Sequence, residues 1–192
     1  MSVLLGACGT SGRSMRDPDP GAVAPPRRTS TTLKATSSTV QGLNLHSAVL
    51  EPSGRLPTEF SCQGAGVSPP LSWTGVPEGT QSMALLVVDL DADGAVQWMV
   101  SGIPPSVGST TKGLAPSGGT ELPNSFGTKG WKAPCSDAVH TYEFSLLTFT
   151  DPPKVDGLSP QQAVAALEQA AANAATFSNK FGSSGDQSSS SS

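Results

Sequence analysis

The 192-residue chain has few aromatic residues, 5% of its composition, and almost no long stretch of helical periodicity. Glycine and proline are abundant instead, with 21 and 17 residues. These proportions favour a loop-rich, mainly β domain with one or two helices. The length corresponds to one domain with tails.

The sequence also lacks the motifs of several common enzyme classes. It has no Gly-x-Ser-x-Gly nucleophile elbow and no glycine-rich phosphate loop, and its only imidazoles are His46 and His140. Cys62 and Cys135 do not form the close-spaced ligand pairs of a zinc site. We therefore expect a non-enzymatic protein without a cofactor.

Charges of the two signs are unevenly distributed along the chain. Residues 9–42 contain five basic and two acidic residues, whereas residues 43–182 contain six basic and twelve acidic residues. An acidic domain argues against nucleic acid as its partner. The basic stretch is rich in Ser, Thr and Pro and has no apolar periodicity, so it predicts a disordered tether.

Residues 1–8 resemble the end of a bacterial lipoprotein signal. They close with Leu-Leu-Gly-Ala-Cys, and in such a box the cysteine becomes the lipidated first residue of the mature protein. No charged or long apolar region precedes this box, so a chance match in a cytosolic tail is the alternative. We expect Cys8 to carry a lipid that anchors an extracytoplasmic domain to the membrane of the cell envelope.

The other two cysteines form an even pair whose state depends on the compartment. In an oxidising compartment, Cys62 and Cys135 predict a disulfide. In the cytosol they would be free thiols.

The folded domain is expected over residues 43–182, followed by a disordered serine-rich tail over residues 183–192. Alternating residues between Leu45 and Glu51 predict the first strand, and residues 141–150 predict a central strand.

One helix is clearly indicated. Ser159 and Gln162 form a capping-box pattern around Pro160, and apolar residues then recur at helical spacing. This helix is expected to end before Gly182.

An apolar run, residues 83–88, delivers Asp89, Asp91 and Asp93 to one short loop. The pattern matches the opening of a calcium loop, but the twelfth position is Val100 instead of the required Glu. Apolar strands replace the flanking helices, which excludes an EF-hand. A cation such as calcium, held by the three carboxylates, is an alternative function.

A long stretch without periodicity, residues 106–138, is typical of a loop that builds a site. Trp131 lies in its glycine-rich part, close to His140, and is a candidate for the wall of a cleft. A tryptophan that simply belongs to the core is the alternative interpretation.

Several segments, in a fixed order, resemble the phosphatidylethanolamine-binding protein family, and most closely its bacterial Raf-kinase-inhibitor-like branch. The resemblance covers roughly residues 43–182. The segments are residues 62–64, 68–73, 77–80 and 89–92, Trp98, residues 103–104 and 124–127, and residues 130–142.

The resemblance implies a Greek-key sandwich of two antiparallel sheets with a C-terminal helix. It also implies a small pocket for phosphate-like or other anionic groups, including phospholipid head groups. Binding and regulation, rather than turnover, are the usual activities of this family. Docking to or inhibition of another protein through the rim of the pocket is a further alternative.

The resemblance also implies which residues form the pocket, and donors and carboxylates of these types suit a phosphate or an ammonium group. The residues at the matching positions are Asp89, Asp91, Gln97, Ala133, Pro134, His140 and Tyr142.

Two departures from the family pattern alter the charge of this pocket. The histidine that precedes Trp98 in the family is Gln97 here, and the second proline of the family's Asp-Pro-Asp-Ala-Pro motif is Asp93. One cationic side chain is lost and one carboxylate is gained. We therefore expect anions to bind more weakly than in relatives.

Overall fold

The computed structural model of the protein describes residues 42–182. This part of the chain consists of two antiparallel sheets and one α-helix, which confirms the predicted fold class. The predictions for the lipobox with Cys8, for the tether up to residue 41 and for the tail fall outside the described residues. No helix within residues 42–182 is both long and apolar enough to span a membrane.

The smaller sheet contains three strands, and the larger contains five. The strands of the smaller sheet, from edge to edge, are β1 (Asn44–His46), β2 (Leu71–Thr74) and β5 (Ser109–Thr110). The strands of the larger sheet, from edge to edge, are β6 (Thr120–Glu121), β4 (Ala95–Ile103), β3 (Ser82–Asp89), β7 (His140–Phe149) and β8 (Asn173–Phe181). Helix α1 (Pro160–Ala170) lies between β7 and β8 in the chain, and a short 3₁₀ helix spans Thr58–Phe60.

Strand β3 lies in the middle of the larger sheet and is buried on both faces. Leu85 and Val87 belong to a core that includes Trp73 of the smaller sheet. Leu86 points the other way, into a second core with Leu167 of α1. Burial of both faces explains why the apolar run in the sequence is continuous rather than alternating.

The predicted helix is confirmed. The side-chain oxygen of Ser159 accepts a hydrogen bond from the backbone N–H of Gln162 at 3.3 Å, and Gln162 Oε1 accepts from the backbone N–H of Ser159 at 3.1 Å. Ala163 and Leu167 are buried against the larger sheet, so the alanine-rich face packs on a flat surface as its small side chains allow.

Two strands differ from the sequence prediction. The first strand covers only Asn44–His46, and the alternating residues that follow it are not part of a sheet. Directly after the strand, the Ser47 hydroxyl donates to the Pro70 carbonyl at 2.6 Å. The sequence pattern does not predict β8, which pairs with β7 along its whole length. As an edge strand with one solvated face, β8 contains few large apolar residues.

Strand β4 is irregular at two places. Its register with β3 shifts at two points, and at each point β4 has one residue more than β3. The first extra residue is Gln97, and the second is one of Ser101 and Gly102, which together lie opposite Ala84. Gly102 has a φ of 68°, in the left-handed region that favours glycine. Bulges of this kind change the direction of a side chain and often lie beside functional sites.

Candidate functional site

A cavity of about 320 Å³ lies where β3 ends and β7 begins. The antiparallel register places Asp89, the last residue of β3, opposite Tyr142 of β7. The structure brings five predicted site residues together in its wall: Asp89, Gln97, Ala133, His140 and Tyr142.

Asp89 and His140 form a hydrogen-bonded pair at the cavity. His140 Nδ1 lies 3.0 and 2.8 Å from the two carboxylate oxygens of Asp89, whose side chain is only 4% exposed. The backbone N–H of Asp91 also donates to Asp89 Oδ1 at 3.0 Å. A carboxylate can only accept, so Nδ1 carries the proton and Nε2 is the ring nitrogen left for a ligand.

The Tyr142 phenol adds a hydrogen-bond donor to this wall. The residue is 1% exposed, and its ring centroid lies 6.4 Å from that of His140 at an interplanar angle of 24°. Burial, and then the negative charge of Asp89, raise the pKa of Tyr142 far above its usual value. The phenol therefore keeps its proton at any physiological pH.

Gln97 occupies the first bulge of β4 and is 4% exposed. Its side-chain Oε1 is buried and has no hydrogen-bond partner within the described residues. A buried polar atom without a partner costs about 1–3 kcal/mol. A ligand with a hydrogen-bond donor would remove this cost, which makes Gln97 the strongest indication of a binding site.

Lys132 and Phe126 also line the cavity, and sequence reasoning missed both. Lys132 Nζ lies 5.1 Å from the centroid of the Phe126 ring, a cation–π distance, and Phe126 is 48% exposed. The backbone N–H of Lys132 donates to the Gln97 carbonyl at 2.9 Å. The cavity wall therefore includes a cationic side chain, although Gln97 itself is neutral.

The remaining wall residues that the sequence did not predict are small or polar. They are Ala92, Ala95, Cys135, Ser136 and Asp137.

Asn124 holds the loop that contains Phe126. It is 1% exposed, and its Nδ2 donates to Thr128 Oγ1 at 3.0 Å and to the Gly130 carbonyl at 3.1 Å. Its Oδ1 accepts from the backbone N–H of Phe126 at 3.0 Å. One buried amide therefore determines the shape of this side of the cavity.

A disulfide joins Cys62 to Cys135, with the two Cα atoms 5.3 Å apart. Beside it, the backbone N–H of Cys62 donates to the carbonyl of Pro134 at 3.0 Å. Pro134 is buried and lies outside the cavity wall, although the resemblance implies that it belongs to the pocket. The disulfide attaches the cavity loop to the segment that follows the 3₁₀ helix.

Trp131 and Asp91 also lie outside the cavity wall. Trp131 packs edge-on against Trp98, with ring centroids 6.0 Å apart, and stacks on Phe144 at 6.2 Å. Asp91 Oδ2 accepts a hydrogen bond from the Thr141 backbone N–H at 2.6 Å, which is the main reason that the pKa of Asp91 is lowered. Trp131 is partly buried and packs against the core. Asp91 ties the β3–β4 loop to β7.

The three loop carboxylates do not meet at one point. Asp93 lines a different cavity, together with Glu168 of α1, whereas the Asp89 carboxylate binds His140. Within residues 42–182, no three His, Cys, Asp or Glu side chains converge as a set of metal ligands. The tight turn at Asp93, with a φ of 49°, sends this side chain away from Asp89.

The fold and the site define the class of protein, which is a β-sandwich with a small surface pocket. Its features are two antiparallel sheets, a helix before the last strand, and a cavity built on an Asp and His pair. A family model described as phosphatidylethanolamine-binding protein matches residues 46–182. The chain therefore belongs to the phosphatidylethanolamine-binding protein family.

Individual relatives agree with this assignment. The protein named "Putative lipoprotein LppC" from Mycobacterium tuberculosis is 36% identical over 93% of this chain and 90% of its own length. The crystal structure of Escherichia coli YbcL, described as a new member of the mammalian PEBP family, has a TM-score of 0.67 with 27% identity, over 73% of this chain and 98% of that one. A PEBP homolog from Chlamydia trachomatis gives a TM-score of 0.66 and 25% identity, over 74% of this chain and 98% of its own.

Proposed function

We propose that the protein binds a small molecule with an anionic, phosphate-like group in the cavity at the end of β3, without turning it over. A phospholipid head group and a free phosphate compound share this chemistry. The observation that carries the proposal is a cavity whose wall combines the Lys132 ammonium with the buried Gln97 amide, whose Oε1 has no partner within the described residues.

The wall offers both donors and acceptors for such a group. His140, Tyr142 and Lys132 all line the cavity. The Tyr142 phenol and the Lys132 ammonium donate to phosphate oxygens. His140 Nε2, which is unprotonated while Nδ1 carries the proton, would accept from the hydroxyl of a monoprotonated phosphate or from an ammonium group, as would Gln97 Oε1.

Anion binding by this cavity is expected to be weak. Asp89 and Asp137 are also in the wall, and their negative charges oppose that of an anion. Lys132 is exposed to solvent, so water screens its attraction. We expect a dissociation constant for phosphate on the order of 1 mM, corresponding to about 4 kcal/mol of binding free energy.

Calorimetric titration with inorganic phosphate and with phosphoethanolamine tests the proposal. Lys132→Met should weaken phosphate binding about fivefold or more, because it removes the cationic group of the wall. Lys129→Met is the matched control, since Lys129 lies in the same loop but outside this cavity. The proposal is wrong if neither compound binds at about 10 mM, and the expected weakness is wrong if binding is micromolar.

Membrane anchoring through Cys8 is part of the same proposal. It is supported by the lipobox-like residues 4–8, by the name of the Mycobacterium tuberculosis relative, and by the disulfide between Cys62 and Cys135, a bond typical of exported domains. Mass spectrometry of the protein purified from its own cells should find a diacylglyceryl group on Cys8. A peptide that contains unmodified Cys8 would contradict it.

A further inference from the structure

A second cavity, of about 310 Å³, lies at the opposite end of the larger sheet, where β3 begins and β7 ends. Its apolar side is formed by Phe149 of β7 and Leu167 of α1, together with Val155 from the loop between them. Cavities of this size are at the lower limit of those that hold small ligands. The function proposed above makes no use of it.

Ser82, the first residue of β3, lines this second cavity. The residue is 9% exposed, and its hydroxyl oxygen is buried without a hydrogen-bond partner within the described residues. Buried hydroxyls are nearly always bonded, so one that is not requires an explanation. Because a serine hydroxyl rotates freely and can donate or accept, a polar atom in the cavity would satisfy it.

The second bulge of β4 lies at the same cavity. Ser101 and Gly102 form this bulge, and both line the cavity. The first bulge of the same strand places Gln97 in the wall of the other cavity. Each cavity thus combines a bulge of β4 with a buried side-chain oxygen that has no partner within residues 42–182.

Charges of both signs lie at the mouth of the second cavity. Lys154 and Asp156 line it, both are exposed, and neither forms an ion pair within the described part of the chain. A simple anion would be attracted by Lys154 but repelled by Asp156, and the reverse holds for a simple cation. A zwitterion, which has one charge of each sign, would be attracted by both residues.

We propose that this cavity is a second ligand site, for a small zwitterion with an apolar body, such as a free apolar amino acid. Its carboxylate faces Lys154 and the Ser82 hydroxyl, and its ammonium faces Asp156. Its apolar part lies against Phe149 and Leu167. The site is independent of anion binding at the Asp89 and His140 cavity, because the two cavities share no residue.

Titration with leucine, followed by the backbone amide signals in NMR spectra of the isotopically labelled protein, tests this proposal. We expect saturable shifts at Ser82, Gly102 and Lys154, with a dissociation constant on the order of 1 mM for so small a ligand. The compounds 4-methylpentanoate and 3-methylbutylamine keep the apolar body but each lacks one charge. Each should bind at least about fivefold more weakly than leucine.

Variants identify the groups responsible. Ser82→Ala should weaken leucine binding about two- to tenfold, the value of one net hydrogen bond, and Lys154→Met should weaken it by a similar factor. Ser145→Ala is the matched control, because Ser145 is a buried serine of the same sheet that does not line the cavity. Since Lys154 is exposed, Lys154→Met remains informative even if Ser82→Ala unfolds.

Three outcomes would overturn the proposal. The first is a set of shifts that grow linearly with leucine up to about 20 mM, without saturation. The second is equal affinity of the wild type and Lys154→Met. The third is saturable shifts at His140 and Lys132 instead of Ser82, which would assign leucine to the first cavity. Failure of phosphate binding there leaves the leucine result unaffected.

Discussion

Removal of the disulfide between Cys62 and Cys135 should strongly destabilise the domain. The bond closes a loop across a sequence separation of 73 residues. In the chain-entropy description, a cross-link over a loop of this length stabilises the folded state by about 4 kcal/mol at 25 °C, because it restricts the unfolded chain. Folded domains have only about 5–15 kcal/mol of net stability, so the loss would leave the domain marginal.

The double variant Cys62→Ser with Cys135→Ser allows a direct measurement. Equilibrium unfolding in urea should show a midpoint about 2 M lower than that of the oxidised wild type, if the dependence of stability on urea is about 2 kcal/mol per M. The wild type in the presence of a phosphine reductant serves as the control, because both cysteines are exposed. It should behave like the double variant.

The same variant should weaken phosphate binding, because Cys135 is attached to the loop that places Lys132 and Ala133 in the cavity wall. A loss of stability below about 1 kcal/mol, together with unchanged phosphate affinity, would refute the reasoning. It would show that the loop keeps its conformation without the cross-link.

Three further predictions concern the loops around the site. Asn124→Ala should lower the unfolding free energy by about 2–3 kcal/mol and weaken phosphate binding, since it leaves several backbone groups without their partner; an unchanged urea midpoint would contradict this. Gly64→Ala should destabilise the fold by about 1–3 kcal/mol, because a Cβ at this position would overlap the carbonyl of Thr58; thermal unfolding measures it, and an unaltered melting temperature would be the opposite result. Asp91→Asn should reduce the loss of stability in acid. The hydrogen bond from Thr141 lowers the pKa of Asp91 in the folded protein below its unfolded value of 3.8. The ionised carboxylate therefore stabilises the fold above pH 3.8, and this stabilisation is lost as the pH falls through the folded pKa. Urea unfolding measured from pH 6 to pH 2 should therefore show that the unfolding free energy falls less steeply with decreasing pH in the variant than in the wild type. An identical fall in both proteins would contradict the assignment.

Sequence patterns determined the local elements of this protein. The capping box at Ser159 and Gln162 specifies where α1 begins, because capping depends only on residues three apart. The apolar run before Asp89 specifies a strand that is buried on both faces. The order of the family-like segments indicated the fold and five of the residues in the cavity wall, since each segment has its own local pattern.

The tertiary structure decided which side chains face the cavity. Lys132 and Phe126 line it because of the loop held by Asn124, which has no periodic signal in the sequence. Gln97 was indicated by the family-like segments, but the bulge of β4 on which it lies was not. Trp131 packs against the core, although its place in a glycine-rich loop near His140 suggested a cleft wall. Asp93 faces α1, although its spacing from Asp89 and Asp91 suggested a shared cation site.

The physical reason is the range of the interactions. Capping and alternation act over a few residues, so they can be read from a short stretch of sequence. The direction of a loop side chain depends on strand register, on bulges and on a disulfide that spans 73 residues, and these are set by contacts between distant parts of the chain. The sequence alone therefore determined the class of fold and the segments of the site, whereas only the folded chain decided the composition of both cavities.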